Sequence, residues 1–311
     1  MPFGLMFHHF HGGLHKPDKA NSLSADQFEK ILYYIGIPNI LSPKEWIASS
    51  ENGKLQSNNC CITFDDGLKN QFDIALPVLQ KLKLKAFWFI YSAQYENKHP
   101  RLDIFRRFRN HYFENIDEYY MEFFTQTDFL FKENQIKFKN WKNDLSKLYP
   151  FYSENDLKYR YIRDTLLSCE DYNYNVEKII NSHGLTFNDL ISNLWLTESD
   201  LQSLNDQGHI LGLHSYDHPT NLKKFKELFQ KKQYYENLRF IKKFSQNPVS
   251  MSHPCNSYNE TTLKILSNMG IKIGFRSNMG SKDFIKKYKN LQLPREDAAN
   301  ILRLVEKNNI N

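Results

Sequence analysis

The run Cys60-Cys61-Ile62-Thr63-Phe64-Asp65-Asp66-Gly67 constrains this chain more than any other stretch. Its apolar start reads as a strand, and a strand sends neighbouring side chains to opposite sides. Two adjacent carboxylates at its end repel one another and gain nothing from folding alone. A divalent cation removes that objection, because one Asp binds it while the other stays free as a base. Downstream, His214-Ser215-Tyr216-Asp217-His218 offers two more ligands. A spacing of four puts the two rings one turn apart on a helix and also lets them converge from a loop. Asp66, His214 and His218 are therefore the expected ligands of one divalent metal, and Asp65 the expected base. Zinc is the preferred ion, since N/O ligands with an open fourth position suit it; nickel, cobalt or iron are the alternatives.

Around this run the pattern alternates. Phe3 to Phe10 reads as a short strand, followed by a helix from about Ala25 that Ser24 and Gln27 cap. After the motif strand comes a helix near Gln71 to Lys83, which Pro77 must kink or start late, and then an aromatic strand, Ala86 to Tyr91. Thr197 and Asp200 cap another helix, Gly208 to Leu213 is a strand ending at His214, and Lys223 to Phe244 is a charged amphipathic helix. Val249 to Ser252, Ile271 to Phe275 and Leu291 to Leu293 read as strands, with a capping box at Ser257 and Glu260. Strands alternating with helices imply an α/β class with a parallel sheet or barrel. A chain of 311 residues suits one such barrel with an insertion.

The insertion falls at 96–192, where the rhythm breaks. Glycine is absent between Gly67 and Gly184, and aromatics recur at helical intervals, as in Tyr119, Tyr120, Phe123 and Phe124. The segment reads as a helical subdomain within a single barrel spanning 1–311. Its Arg101, Arg106, Arg107 and Arg109 either cradle a phosphate or form the solvated side of an amphipathic helix. Acidic residues interrupt it throughout, and the net charge of +6 is mild, so nucleic acid is not an expected partner. The four cysteines form no disulfide framework, and the N-terminus shows neither a basic region nor an apolar core of signal-peptide type. A cytoplasmic location is the expectation. No run of about 18 apolar residues exists, so no integral membrane segment is expected either.

The two motifs resemble those of a known family, the NodB-homology polysaccharide deacetylases, which are carbohydrate N-deacetylases. The resemblance covers residues 3 to 95 and 193 to 304 in order. It implies a distorted (β/α) barrel of about seven parallel strands. It also implies that Asp65 is the base, that Asp66, His214 and His218 hold the metal, and that an acyl group leaves an amino sugar. The family's third motif is similar in outline to Ser252-His253-Pro254-Cys255-Asn256-Ser257-Tyr258, with Cys255 where Tyr is usual and Asn256 where Gly is usual. On that match the backbone N–H of Cys255, after Pro254, holds the oxyanion, and His253 contacts substrate. One branch of the family carries a Leu-Pro-Arg near the C-terminus and a His near the N-terminus. Leu293-Pro294-Arg295, followed by Asp297, resembles the first, and Leu5-Met6-Phe7-His8 the second. Arg295 is then expected to pair with Asp65, Asp297 to support the site from behind, and His8 to protonate the leaving amine.

Strand alternation selects His8 over His9, which it turns to the opposite face. Asp217 either orients a ligand ring through a hydrogen bond or faces solvent. The expected substrate is a small amino-sugar precursor of a surface polysaccharide, acetylated or formylated, nucleotide- or lipid-phosphate-linked. Two other readings stay open. One is hydrolysis of a non-sugar amide, and the other is a silent carbohydrate-binding module.

Overall fold

The computed structural model describes residues 1–17, 22–96, 98–148, 152–280 and 284–308, without the side chains of 144–148. Two compact units emerge. The first comprises Met1–Pro100 and Asn193–Asn311, and the second Arg101–Ser192.

Seven parallel strands organise the first unit: β1 (Phe3–Phe7), β2 (Cys60–Asp65), β3 (Ala86–Ile90), β4 (Ile210–Leu213), β5 (Ser250–Ser252), β6 (Ile273–Phe275) and β7 (Arg295–Asp297). Their order is β6-β5-β4-β3-β2-β1-β7. The two edges nearly meet. Leu293, just before β7, bridges Phe275 of β6, and its N–H donates to the Gly274 carbonyl at 2.8 Å. A side chain at Gly274 would stand 2.6 Å from the Leu291 carbonyl oxygen, so only glycine permits that approach. The expected distorted α/β barrel is thus the fold.

Alternation along the strands sorts the residues. Cys60, Ile62 and Phe64 of β2 and Trp88 and Ile90 of β3 face outward, into the core shared with the helices α1 (Ala25–Ile35) and α3 (Leu76–Lys81). There Phe64 stacks on Trp88 at 4.4 Å, Phe28 packs edge-on against it, and Phe7 and Phe10 lie tilted beside it. Each such buried ring contributes roughly 1.5–3 kcal/mol, which anchors β2 against its neighbours. Cys61, Phe87, Phe89 and Phe275 face inward and join Trp46 of α2 (Pro43–Glu51) in a separate apolar cluster. By the same parity Thr63 and Asp65 point into the barrel. Gly4 and Met6 of β1 pair with Cys61 and Thr63, and His8, just past the end of β1, lies beside Asp65.

Several local expectations shift. β1 stops at Phe7, not Phe10, because the chain then leaves β2 and Phe10 bridges Leu23 instead. Ser24 and Gln27 form the expected capping box. Pro77 sits in the first turn of α3, where its missing N–H costs nothing, and one π-type turn, Gln71–Ala75, precedes it. Thr197 and Asp200 cap α10 (Glu198–Asp206). The charged helix is α11 (Glu227–Ile241). The helix α12 (Glu260–Asn268) is capped not by Ser257 but by Asn259 with Thr262, and the Ser257 hydroxyl accepts the Lys223 N–H at 3.0 Å. Leu291 to Leu293 forms no strand of its own; it follows a 3₁₀ turn, Lys286–Leu291, and leads into β7. The helix α13 (Ala298–Asn308) follows β7.

The second unit is helical: α4 (Arg101–His111), α5 (Ile116–Lys132), α6 (Gln135–Leu148), α7 (Glu154–Tyr161), α8 (Cys169–Ser182) and α9 (Phe187–Ile191). Tyr119, Tyr120, Phe123 and Phe124 lie on the buried face of α5. The arginines of α4 do not converge on a phosphate cradle. Arg101 pairs with Glu177 at 3.0 Å, Arg106 with Asp103 at 2.8 Å, Arg107 donates to the carbonyls of Leu190 and Ser192, and Arg109 lies over the Tyr159 ring. Their charges are used in holding this unit together.

Candidate metal centre

β2 delivers Asp65 on the inner face of the barrel, and alternation alone would turn Asp66 outward. Asp66 instead adopts φ 74°, a left-handed conformation that Asp tolerates better than most residues. The turn brings both carboxylates to one side, each buried. Two further left-handed residues, Ser215 at φ 65° and His218 at φ 56°, fold the His214–His218 loop so that its rings lie 4.7 Å apart. Strain concentrated in this way is what a site imposes on a backbone.

Three atoms converge. Asp66 Oδ1 is 3.4 Å from both His214 Nε2 and His218 Nε2, and the two Nε2 atoms are 3.1 Å apart. Ligands bound tetrahedrally at 2.0–2.1 Å would lie about 3.3 Å from one another, so this donor set fits one divalent ion. All three residues are buried, and no other such group of His, Cys, Asp or Glu occurs among the described residues. His214 Nδ1 lies 2.9 Å from the Ser252 carbonyl, which only accepts, so Nδ1 carries the hydrogen and Nε2 is left to bind metal. Burial disfavours the charged imidazole of His214, but the Asp65 and Asp66 carboxylates outweigh it and raise its pKa. Burial likewise pushes the Asp66 carboxyl up, and the two histidines pull it well below the usual range.

Asp65 belongs to a second, adjoining network. Arg295 Nη1 and Nη2 each donate to one Asp65 oxygen at 2.7 Å, a bidentate pair. Nη2 also reaches Ser252 Oγ at 2.7 Å, Nε donates to the Arg276 carbonyl at 2.8 Å, and Nη1 lies 3.2 Å from Thr63 Oγ1. The Ser252 hydroxyl donates to Asp65 Oδ2 at 3.2 Å. Burial would raise the Asp65 pKa, yet Arg295 and, after it, His214 hold the carboxyl down at about 2. Arg295 enters from the start of β7, level with Gly4, rather than from a strand's C-terminal end. Its side chain climbs the barrel interior past Gly4, where a Cβ would meet Arg295 Cγ at 2.9 Å. His8 Nε2 stands 3.7 Å from Asp65 Oδ2. The His8 and His9 rings are stacked, 6.2 Å apart, so they share a side: β1 has ended, and alternation no longer separates them.

The remaining expected residues divide. Pro254 and Cys255 follow β5, with Cys255 at φ 47° and exposed, and Asn256 at φ 56°. The left-handed φ explains why Asn can stand at a position where Gly is usual. His253 is not presented to a substrate. It is buried, its Nε2 donates to the Leu291 carbonyl at 2.8 Å, its ring stacks on Tyr258, and burial lowers its pKa to about 3. It ties β5 to the segment that closes the barrel. Asp297 does not back the site either, because its Oδ1 accepts the Ala299 N–H at 2.8 Å and caps α13. Asp217 is exposed, the second of its two expected placements, and the Ser252 carbonyl holds the His214 ring.

Other residues emerge only in three dimensions. Asn237 on α11 accepts the His214 N–H at 2.9 Å and donates to the Ile90 carbonyl and Ser92. Four residues earlier, Gln233 accepts the N–H groups of Tyr216 and Asp217. Gln71 donates to the carbonyls of His8 and Asp65, tying the ends of β1 and β2 together. Trp195 donates its indole N–H to Tyr91, whose ring packs edge-on against His218. The one readable signal was a pair of amides, Gln233 and Asn237, at helical spacing on an otherwise charged helix.

Fold and site together define an α/β-barrel protein with a buried Asp-His-His site suited to one divalent metal. The family model described as polysaccharide deacetylase matches residues 170–274, about a third of the chain, which includes both histidines of the cluster. No curated protein matches the sequence. Among solved structures the chain is similar to the Streptococcus pyogenes deacetylase PplD in complex with acetate. That match has TM-score 0.57 and 17% identity, over 97% of this chain and 96% of that one. It is also similar to IcaB from Ammonifex degensii, with TM-score 0.56 and 13% identity over 98% and 97%. A de-N-acetylase from Aggregatibacter actinomycetemcomitans gives TM-score 0.56 and 11% identity over 98% and 99%. These likenesses show the fold. The family match itself is confined to residues 170–274.

Proposed function

We propose that this protein removes an N-acyl group from an amino sugar by metal-dependent hydrolysis. One observation carries the reading: an ionised, arginine-clamped carboxylate adjoins a buried three-ligand metal site. A structural metal site would need no second carboxylate held at about 2 beside it. Asp66, His214 and His218 would hold the ion. When bound, it supplies Lewis-acid polarisation of the amide carbonyl and makes nearby water more acidic.

Asp65 would take the proton from the attacking water. A carboxyl near 2 is always ionised at neutral pH but holds a proton weakly. The proton must move on, and His8 Nε2, 3.7 Å away, is the group in line to receive it and deliver it to the departing amine. This gives His8 the role that the branch with an N-terminal histidine implies. Arg295 and Ser252 fix the Asp65 carboxylate, and the Cys255 backbone N–H would face the developing oxyanion. Trp195, half-buried and hydrogen-bonded to the buried Tyr91, would offer an aromatic face to a sugar ring. The acetate recorded with the PplD structure favours acetyl as the acyl group. The test is mass spectrometry of acetylated and formylated amino sugars, free and phosphate-linked, incubated with purified protein. Loss of the acyl group supports the reading; cleavage of non-sugar amides alone would replace it.

A further inference from the structure

We propose that the start of α11 docks this protein on an anionic lipid surface. Residues 223 to 229 are all exposed. Among them Leu228 is 80% exposed and Phe225 45%, and Phe225 stacks on Phe229 at 4.5 Å. Three large apolar side chains exposed within five residues gain nothing from water. Interspersed with them in sequence are Lys223, Lys224, Lys226, Lys231 and Lys232, with Glu227 the one acid between 223 and 232. Lys231 spends its charge on Glu227 at 2.6 Å, which leaves four lysines uncompensated within this stretch.

An apolar tip ringed by lysines matches the water–lipid interface, where the apolar groups enter the acyl boundary and the ammonium groups stay at the headgroups. The charge selects an anionic surface over a neutral one. The patch is also held in place. The Lys223 N–H donates to Ser257 at 3.0 Å, and its carbonyl accepts from Asn259 at 2.9 Å. It begins five residues after His218, and α11 starts from the barrel face that carries the metal ligands. No helix among the described residues is long and apolar enough to cross a membrane, so the contact is peripheral. The inference does not depend on the proposed chemistry.

The test is co-sedimentation of the full chain with vesicles of phosphatidylcholine, with and without a third of phosphatidylglycerol. Binding to the anionic vesicles should exceed binding to the neutral ones by on the order of tenfold and weaken in high salt. Leu228→Ser with Phe225→Ser, and separately Lys223→Glu with Lys224→Glu, should each abolish most of it while metal content stays unchanged. Leu228→Ser alone, at so exposed a site, keeps the test valid if a double variant misfolds. Equal binding to both vesicles, or binding untouched by the variants, overturns the proposal. So does a self-associated form that the same variants dissolve without any vesicle binding.

Discussion

Replacing Arg295 by Met probes the clamp on Asp65 directly. The guanidinium is fully buried and makes two 2.7 Å bonds to the carboxylate, so its loss strands a buried charge. Two figures bracket the cost. Asp65 lies at about 2 against an ordinary 3.8, and a gap of roughly two units corresponds to about 2.5 kcal/mol. Breaking a buried pair by removing one partner costs about 3–5 kcal/mol. The sign of the pH dependence follows, because a depressed carboxyl pKa stabilises the fold above the unfolded value. Its contribution disappears as pH falls through the folded one. Urea denaturation at pH 7 should therefore show a loss of about 2.5–5 kcal/mol, shrinking at pH values between 4 and 2. Adding Asp65→Asn to Arg295→Met should restore most of the stability but no activity. A loss under about 1 kcal/mol, or a gap that does not change with pH, would refute the clamp.

His8→Ala should lower turnover by about 10²-fold or more with metal content unchanged. Since the His9 ring lies on the same side, His9→Ala beside it decides the assignment, and a larger loss there would transfer the role. Asn237→Leu should destabilise by about 1–3 kcal/mol by stranding the buried His214 N–H and should weaken metal binding; unchanged metal affinity would separate Asn237 from the site. Burial holds His253 at about 3 and His209 at about 4, so the folded state binds fewer protons than the unfolded one below pH 6.5. Stability should fall on acidification through that window by roughly 1.4 kcal/mol per histidine for each pH unit, and a flat profile between pH 6 and 4.5 would contradict this.

The strands and the cluster of Asp66, His214 and His218 were legible because each is set by a short local pattern. Period-two burial marks β2 and β3, and an Asp-Asp-Gly at a strand's end with a spaced histidine pair has few other uses. Arg295 was readable through its motif, but not its path, since only the barrel interior shows that it starts at the level of Gly4 and climbs to Asp65. Alternation failed one residue past its domain: it holds to Phe7 and says nothing about His8 and His9. His253 and Asp297 were drawn into the site by their neighbours in sequence, whereas burial against Leu291 and the start of α13 claimed them. Gln71 could not be found from sequence, and Gln233 and Asn237 only as an oddly placed pair of amides, because the partners of all three are largely backbone groups whose positions exist only in the folded chain.

The central claim is that Asp66, His214 and His218 bind one divalent ion. Elemental analysis of the purified protein, beside Asp66→Ala, His214→Ala and His218→Ala, tests it most directly. One equivalent of a divalent transition metal per chain is expected, lost in each variant while circular dichroism still reports a folded barrel. Variants that keep full metal content, or a native protein that takes up no ion when supplied with zinc, nickel, cobalt or iron, would contradict it.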